Sequence, residues 1–231
     1  MKQGFFEVAE NRPLTQAVHY FRFSGDSSAI QKPGEFVHIS LSGTFLRRPF
    51  SVSDWGDGWF SLIVDRVGSG TEQMQSMKTG TQVDVLTGLG SGFDLAAAEG
   101  KNVLLIGGGT GLSPLVGLSM RLPEAKVVLG FRDPACAFGA EFFPGRELVI
   151  TGDLFSAVTG ITHNLFYACG SEDTMRKLCA ADPAEGQIAF DKRLGCGFGA
   201  CMGCSIRTAS GMKRFCKDGP VFWKGDLIWD D

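Results

Sequence analysis

Histidine and tyrosine are scarce in this chain, at three and two residues among 231, and no apolar run approaches the ~18 residues of a membrane-crossing helix. The opening Met1-Lys2-Gln3-Gly4-Phe5-Phe6-Glu7 reaches a charge too soon to form the apolar stretch of a secretory signal peptide. Neither sign of charge dominates: the formal net charge is −3, so nothing points to nucleic acid or to an anionic membrane as partner. His19, His38 and His163 are scattered and are expected to be structural. No serine–histidine–acid or paired-carboxylate constellation stands out, so the chain is not expected to act on an organic substrate by itself. There is no internal repeat and no low-complexity linker. These absences lead to the expectation of a cytoplasmic protein.

What is present is glycine, at 32 residues, phenylalanine, at 19, and seven cysteines. Glycine at roughly twice its ~7% average suggests backbone held close to ligands. In a reducing compartment, clustered thiols serve metal binding or redox chemistry more often than disulfides. The first hundred residues read as short strands at Phe5–Ala9, Ala17–Phe23, Glu35–Leu41, Trp59–Val64 and Gln82–Leu86, with turn signals between them and a short helix at Thr71–Met77. That spacing predicts an antiparallel β-barrel or sandwich. After Gly100 the pattern changes to strand–helix alternation. Val103–Ile106 is a continuous apolar run, a helix fits Ser113–Arg121 and another Glu172–Ala180, and short strands fit Lys126–Leu129, Glu147–Ile150, Leu165–Ala168 and Ile188–Phe190. The fold class expected is α+β and multi-domain. It comprises an N-terminal antiparallel barrel over 1–98, an α/β parallel-sheet nucleotide domain over 99–190 and a small Cys- and Gly-rich module over 191–231.

The sharpest signal lies in that tail. Cys196, Cys201 and Cys204 form C-x4-C-x2-C, and Cys216 follows twelve residues later, which is the plant-type [2Fe–2S] spacing. Glycines at 195, 197, 199 and 203 let backbone N–H groups approach cluster sulfurs. Four buried free thiols would be a blander reading, and a structural zinc held by four thiolates is the better rival. Zinc ribbons, however, present two C-x2-4-C knuckles, and Cys216 has no near neighbour in sequence. Cys136, Cys169 and Cys179 are scattered and are not expected to be metal ligands.

A second signal is Ile106-Gly107-Gly108-Gly109-Thr110-Gly111-Leu112-Ser113-Pro114, which follows a buried strand and opens a helix. In that context a glycine loop can hold a pyrophosphate against helix N-terminal amides. The run is not G-x-G-x-x-G, because Leu112 follows Gly111, and a tight turn is its plain alternative.

Taken together these motifs resemble the ferredoxin–NADP reductase superfamily. Ile106–Pro114 resembles its nicotinamide-nucleotide loop, and Arg48-Pro49-Phe50-Ser51 its flavin motif, Arg-x-Tyr/Phe-Ser/Thr. Pro33-Gly34-Glu35-Phe36-Val37 resembles the strand before that motif, and Val67-Gly68-Ser69-Gly70-Thr71 the segment that meets the flavin pyrophosphate. Tyr167-Ala168-Cys169-Gly170, followed by Met175, is similar to the late Cys-Gly-Pro motif beside the nicotinamide, with Ser171 in place of the proline. Phe190 to Cys204 closely resembles the cluster-binding end of one branch, the electron-transfer subunits of class 1B (NAD-dependent) dihydroorotate dehydrogenase. The resemblance covers nearly the whole chain.

That resemblance implies three cofactors: FAD, one [2Fe–2S] cluster and NAD. It implies that Arg48 pairs with the FAD phosphate, that Phe50 lies near the isoalloxazine and that Ser51 hydrogen-bonds around flavin N5, with Pro49 also among the cofactor-binding residues. Gly68, Ser69, Gly70 and Thr71 would serve the pyrophosphate. Gly107, Gly108, Gly109, Thr110 and Gly111, with Cys169 and Gly170, would serve the dinucleotide, and Cys196, Cys201, Cys204 and Cys216 the metal. The implied partner is an FMN-containing catalytic subunit that oxidises dihydroorotate in pyrimidine (UMP) synthesis, in a heterotetramer, with electrons running from FMN through [2Fe–2S] and FAD to NAD+. Two other readings stay open: a reductase subunit of sulfide dehydrogenase or transhydrogenase type, and a zinc-stabilised redox-sensing module. The segment from Thr151 to His163 is shorter than the loop and helix its relatives carry there. Arg132 and Asp133, after the second strand of the α/β region, leave NAD and NADP undecided. Hydrophobic residues near Phe215 and Trp223 are expected to be exposed and to form the docking surface.

Overall fold

Alternation at a period of two builds the N-terminal half. In β1 (Lys2–Pro13), Phe6 and Val8 turn inward while Phe5 and Glu7 face solvent. In the computed structural model, which describes residues 1–229, β1 joins β2 (Val18–Ser24), β3 (Phe36–Ile39), β4 (Arg48–Gly56), β5 (Trp59–Asp65) and β6 (Gln82–Leu89) in a closed antiparallel barrel of order β1-β2-β5-β4-β3-β6. Residues 230 and 231, the end of the expected cluster-binding segment, lie outside the described residues. Helix α1 (Ser69–Gln75) links β5 to β6. The phenylalanine excess fills this barrel. Phe6 and Phe23 each lie 5.0 Å from Phe60 between ring centroids, and Phe21 lies 5.9 Å from Phe23. Each such burial contributes about 1.5–3 kcal/mol, and a ring without a hydroxyl needs no partner there.

The second half is a parallel sheet covered on both faces. Its strands are β7 (Val103–Gly108), β8 (Lys126–Gly130), β9 (Leu148–Thr151), β10 (Leu165–Gly170) and β11 (Glu185–Phe190). On one face Leu105, Val127 and Tyr167 pack with Leu115 and Leu118 of α2 (Ser113–Arg121), and with Val18 and Ile63 of the barrel. On the other, Leu104, Ile106 and Phe166 pack with Leu154 and Val158 of α3 (Leu154–Thr159) and with Met175 and Leu178 of α4 (Glu172–Ala181). The short segment after β9 therefore still forms a helix, begun by Asp153, whose carboxylate accepts from Ser156 N at 3.2 Å.

The tail adds a hairpin, β12 (Ser205–Thr208) and β13 (Gly211–Arg214), then the single turn α5 (Phe215–Asp218) and β14 (Val221–Trp223). Strand β14 pairs antiparallel with β11, which gives the sheet order β14-β11-β10-β7-β8-β9. Phe215, Cys216 and Phe222 are thereby sealed into the same core as α3 and α4. Phe215, expected on a docking surface, is instead only 3% exposed, and Trp223 is half-buried. The returning strand is the reason: it draws both aromatic rings against the sheet. Among the described residues no helix is long and apolar enough to cross a membrane.

Barrel and sheet meet along β4 and α2. Ser113 Oγ donates to the Ser51 carbonyl at 3.2 Å and lies 2.6 Å from Ser53 Oγ, which leaves Ser53 as donor of that second bond. Arg121 reaches back to the Asp54 carboxylate at 3.1 Å and stacks over Trp55, 3.6 Å from its ring centroid. Gly117 faces β4 so closely that a Cβ would stand 2.8 Å from the Ser53 carbonyl oxygen. The linker after β6 is pinned as well: Asp94 N donates to Gln187 Oε1 at 2.9 Å, and Tyr167 donates its hydroxyl proton to the Asp94 carbonyl.

In a free helix Gly→Ala stabilises by about 1 kcal/mol. For Gly117→Ala we expect the reverse, a loss of about 1–3 kcal/mol from overpacking against backbone that cannot move aside. Chemical denaturation checks this, and a midpoint at or above that of the wild type would show that α2 is not wedged on β4.

Candidate functional site

The barrel–sheet junction leaves a cleft of about 700 Å³, within the range of pockets that take large organic ligands. One wall is the start of β4, Arg48, Pro49, Phe50 and Ser51. The end of β5 with Val67 and Thr71 closes a second side, and Thr110 and Ser113 a third. The fourth is the tail, Asp191 to Leu194. Four residue groups that are far apart in sequence thus share one space. Arg47 lines it too, held by the Asp84 carboxylate at 2.5 Å and by the Asp84 carbonyl at 2.9 Å. Sequence reasoning passed over Arg47, and the adjacent pair Arg47-Arg48 was the available signal.

Arg48 Nη1 donates to the Leu46 carbonyl at 2.9 Å. Its Nε stands 3.4 Å from where Gly70 would place a Cβ, so Arg48 and the Gly68–Thr71 turn are neighbours. The Thr71 hydroxyl closes that turn, accepting from Val67 N at 2.9 Å and Gly68 N at 3.1 Å and donating to the Gly68 carbonyl at 3.0 Å. Its proton is therefore committed to the turn. Gly68 and Ser69 sit beside the cleft but do not line it.

The glycine loop lies between α2 and the end of β10. Gly109 adopts a left-handed conformation, at φ +54°, and only Thr110 of the loop reaches the cleft wall. A Cβ on Gly111 would stand 2.3 Å from the Cys169 carbonyl oxygen, and one on Gly107 2.7 Å from Leu115. These two glycines are thus required by close packing, whereas a Cβ on Gly108 would make only ordinary contact, 3.8 Å from the Gly130 carbonyl oxygen, and Gly109 has open space beside it. Cys169 pairs with Gly107 across the β7–β10 ladder, and burial pushes its thiol far up. Ser171, the departure from the family's proline, caps α4: its hydroxyl accepts from Thr174 N at 3.3 Å. Asp133 is likewise committed locally, its carboxylate accepting from Ala135 N at 2.9 Å.

Electrostatically, Cys196 feels the Cys201 thiol, and Cys216 feels the thiols of both Cys204 and Cys196. Among the described residues no three His, Cys, Asp or Glu side chains converge on one point as a metal site. Ala200 N and Cys201 N point at Cys196 Sγ from 3.2 and 3.4 Å, and Cys216 N points at Cys204 Sγ from 3.4 Å. Burial opposes ionisation of Cys196, but amides of Cys201, Phe198 and Ala200 outweigh it and bring the thiol down to about 6. Cys216 is pushed up to about 12 by burial and by the Cys204 thiol. Gly197 and Gly199 hold left-handed conformations, at φ +76° and +88°. Such a donor set, four thiols in the tail with backbone amides aimed at two of the sulfurs, suits a two-iron group, because four thiolates over two tetrahedral irons leave two on each. A recess of about 80 Å³, bounded by Phe36, Phe190 and Phe215 among others, adjoins the cleft and shares Phe50 and Ser51 with it.

His38, expected to be structural, is 1% exposed, and Nε2 has no hydrogen-bond partner. A buried polar atom left unpaired costs about 1–3 kcal/mol. Burial, with Arg47 nearby, holds its pKa down to about 4, so the ring is neutral at physiological pH. His19 and His163 are paired, with Asn11 and Asp182, both at 2.8 Å. Phe198 and Met202, in the cysteine loop, are exposed, at 46% and 53%.

Comparison with known proteins agrees with this arrangement. Residues 191–228 match a family model described as the iron–sulfur cluster binding domain of dihydroorotate dehydrogenase B. The dihydroorotate dehydrogenase B (NAD(+)) electron transfer subunit of Caldanaerobacter subterraneus is 32% identical, over 96% of this chain and 97% of its own. Its counterpart in Bacillus caldolyticus is 33% identical, over 96% of each chain. Among solved structures, a chain of NADH-dependent reduced ferredoxin–NADP oxidoreductase superposes with a TM-score of 0.84 at 24% identity, covering 97% of this chain and 90% of that one. The ferredoxin reductase of carbazole 1,9a-dioxygenase gives 0.66 at 21%, over 82% and 69%. These structures share the fold, and on near-full-length sequence identity the chain belongs to the family of dihydroorotate dehydrogenase B electron transfer subunits.

Proposed function

We propose that the chain is the electron-transfer subunit of an NAD-linked dihydroorotate dehydrogenase, relaying reducing equivalents between an FMN-bearing, dihydroorotate-oxidising partner and NAD+ in the cytoplasm. The observation that carries this reading is the meeting of Arg48–Ser51, Thr110 and Asp191–Leu194 on one cleft, two residues from the first cluster cysteine. Four of the seven cysteines gathered within 21 residues of the tail support a resident metal group.

In this reading FAD occupies the cleft, a [2Fe–2S] cluster is held by Cys196, Cys201, Cys204 and Cys216, and NAD lies along Gly107–Gly111 and Cys169-Gly170. When bound, flavin supplies the exchange between hydride and single electrons that neither of the other two groups performs alone. Arg48 presents a permanently charged fork to the flavin phosphates. Gly68, Ser69 and Gly70 offer backbone amides, while Thr71 keeps their turn in shape. Pro49 and Phe50 give the ring system an apolar wall, and Ser51 offers it a hydroxyl. Gly107 lets α2 close on β7 and Gly111 lets the loop close on the end of β10, so Gly108 and Gly109 can offer backbone to a pyrophosphate. The C-x4-C-x2-C…C spacing favours two irons over one zinc, which is ordinarily held by two C-x2-4-C knuckles. Phe198 and Met202 offer an exposed apolar contact for the partner beside the cluster.

Arg48→Ala is expected to weaken FAD binding about 10- to 100-fold, from loss of one charge-assisted interaction of about 1.5–3 kcal/mol, with Arg48→Lys intermediate. Fluorescence titration of the flavin-stripped chain reads this, and unchanged affinity in Arg48→Ala would remove Arg48 from the site. Serine at any of the four tail cysteines should abolish iron and labile sulfide while leaving flavin bound, whereas Cys136→Ser and Cys179→Ser should keep both. An anaerobic visible spectrum of the purified chain should show flavin and broad iron–sulfur bands that bleach with NADH. A colourless chain holding one zinc would overturn the proposal.

A further inference from the structure

In β3 the side chains alternate, Val37 and Ile39 into the barrel core, Phe36 and His38 outward. The outward side is nonetheless buried, because the cysteine loop lies on it. A Cβ on Gly197 would stand 1.8 Å from His38 Cε1 and 2.2 Å from Nε2. The imidazole therefore rests on the bare Cα of Gly197, the residue after Cys196, and no larger residue fits there. Neighbours across the barrel ladder are Pro49 and Leu86, neither of which offers the ring a polar side chain. A histidine in such a place is either a shape-filling ring whose nitrogen is wasted, or a donor whose acceptor is the group the loop encloses. A phenylalanine would fill the shape without a stranded nitrogen, and this chain uses phenylalanine freely at such positions, Phe36 included.

We propose that His38 is a positioning residue for the cluster: its Nε2–H donates a hydrogen bond to a sulfur of the iron–sulfur group held by Cys196, Cys201, Cys204 and Cys216, which seats the loop and raises the reduction potential. This rests on the reading of the tail given above. Hydrogen bonds to cluster sulfurs stabilise the more negative, reduced state, so their loss lowers the potential. His38 belongs to the barrel wall whose next strand carries Pro49 and Phe50, so one side chain ties the flavin-side framework to the cluster loop.

The test uses the full chain loaded with iron and sulfide, with histidine labelled by nitrogen-15, reduced and observed by pulsed EPR. A nitrogen coupling to the cluster is expected in the wild type and should vanish in His38→Phe. His38→Phe should also shift the reduced-to-oxidised ratio at fixed potential about tenfold toward the oxidised form, ~59 mV for a one-electron couple. His38→Gln, whose amide nitrogen can reach a similar position, should stay within about twofold of the wild type. Normal iron–sulfur absorbance without a nitrogen coupling, or an unchanged potential in His38→Phe, overturns the role of His38 alone. Absence of iron–sulfur absorbance in the wild type overturns the reading of the tail, and this inference with it. If His38→Phe does not fold, the coupling in the wild type decides.

Discussion

The seam between β4 and α2 is the constraint on which the site depends. Two serine hydroxyls in series, a glycine with no room for a methyl group and an arginine lying on a tryptophan hold the barrel and the parallel sheet at one fixed separation. None of these contacts is strong alone, each being on the order of 1 kcal/mol. Their value lies in position. The same strand that carries Ser53 and Trp55 begins with Arg48, Pro49, Phe50 and Ser51, and the same helix follows directly on the glycine loop. Fixing β4 against α2 therefore fixes the Arg48–Ser51 wall of the cleft against the Gly107–Gly111 loop.

The tail obeys a second constraint. A loop rich in glycine loses more conformational freedom on ordering than any other sequence, so it needs firm anchors at both ends. Here the first anchor is β11, whose last residue, Phe190, packs its ring at a tilt against Phe215 with centroids 5.0 Å apart. The second is β14, which returns to pair with β11 itself. Ser91 adds a third tie, its hydroxyl donating to the Asp218 carbonyl at 3.0 Å. The cysteine loop is thus a closed excursion from one sheet edge rather than a hanging appendage, and Cys204 and Cys216 are buried in the sheet's own core.

Much of this was legible in the sequence, for reasons that can be named. Helix α2 was expected over Ser113–Arg121 and has those bounds, because a glycine turn, Pro114 and a helical stripe of leucines agree there. The cysteine spacing survives any fold, since three ligands lie in one short loop. By contrast, the strand character of β4 was hidden. Its first four residues are all half-buried, facing a cleft rather than alternating between core and solvent, so the period-two signal is missing. The small helix α3 and the hairpin β12–β13 were too short to carry a period at all. The contact of His38 with Gly197, 159 positions apart, has no local signature; scattered histidines in a list look alike until packing shows which one lacks a partner.

Covalent geometry alone then bounds how far the cysteine loop can begin from the cleft. Leu194 lines the cleft, and Cys196 is two residues further on. A chain spans at most about 3.6 Å per residue, so the backbone of the first cluster cysteine cannot stand more than ~7 Å from that of the cleft wall. No rearrangement of the loop can lengthen this. Cys204 and Cys216 are buried in the sheet core with Phe215, while Cys201, Phe198 and Met202 are exposed. The cysteine segment thus starts beside the cleft and also reaches the surface, and in the proposed reading a relay between an internal carrier and an external partner requires both.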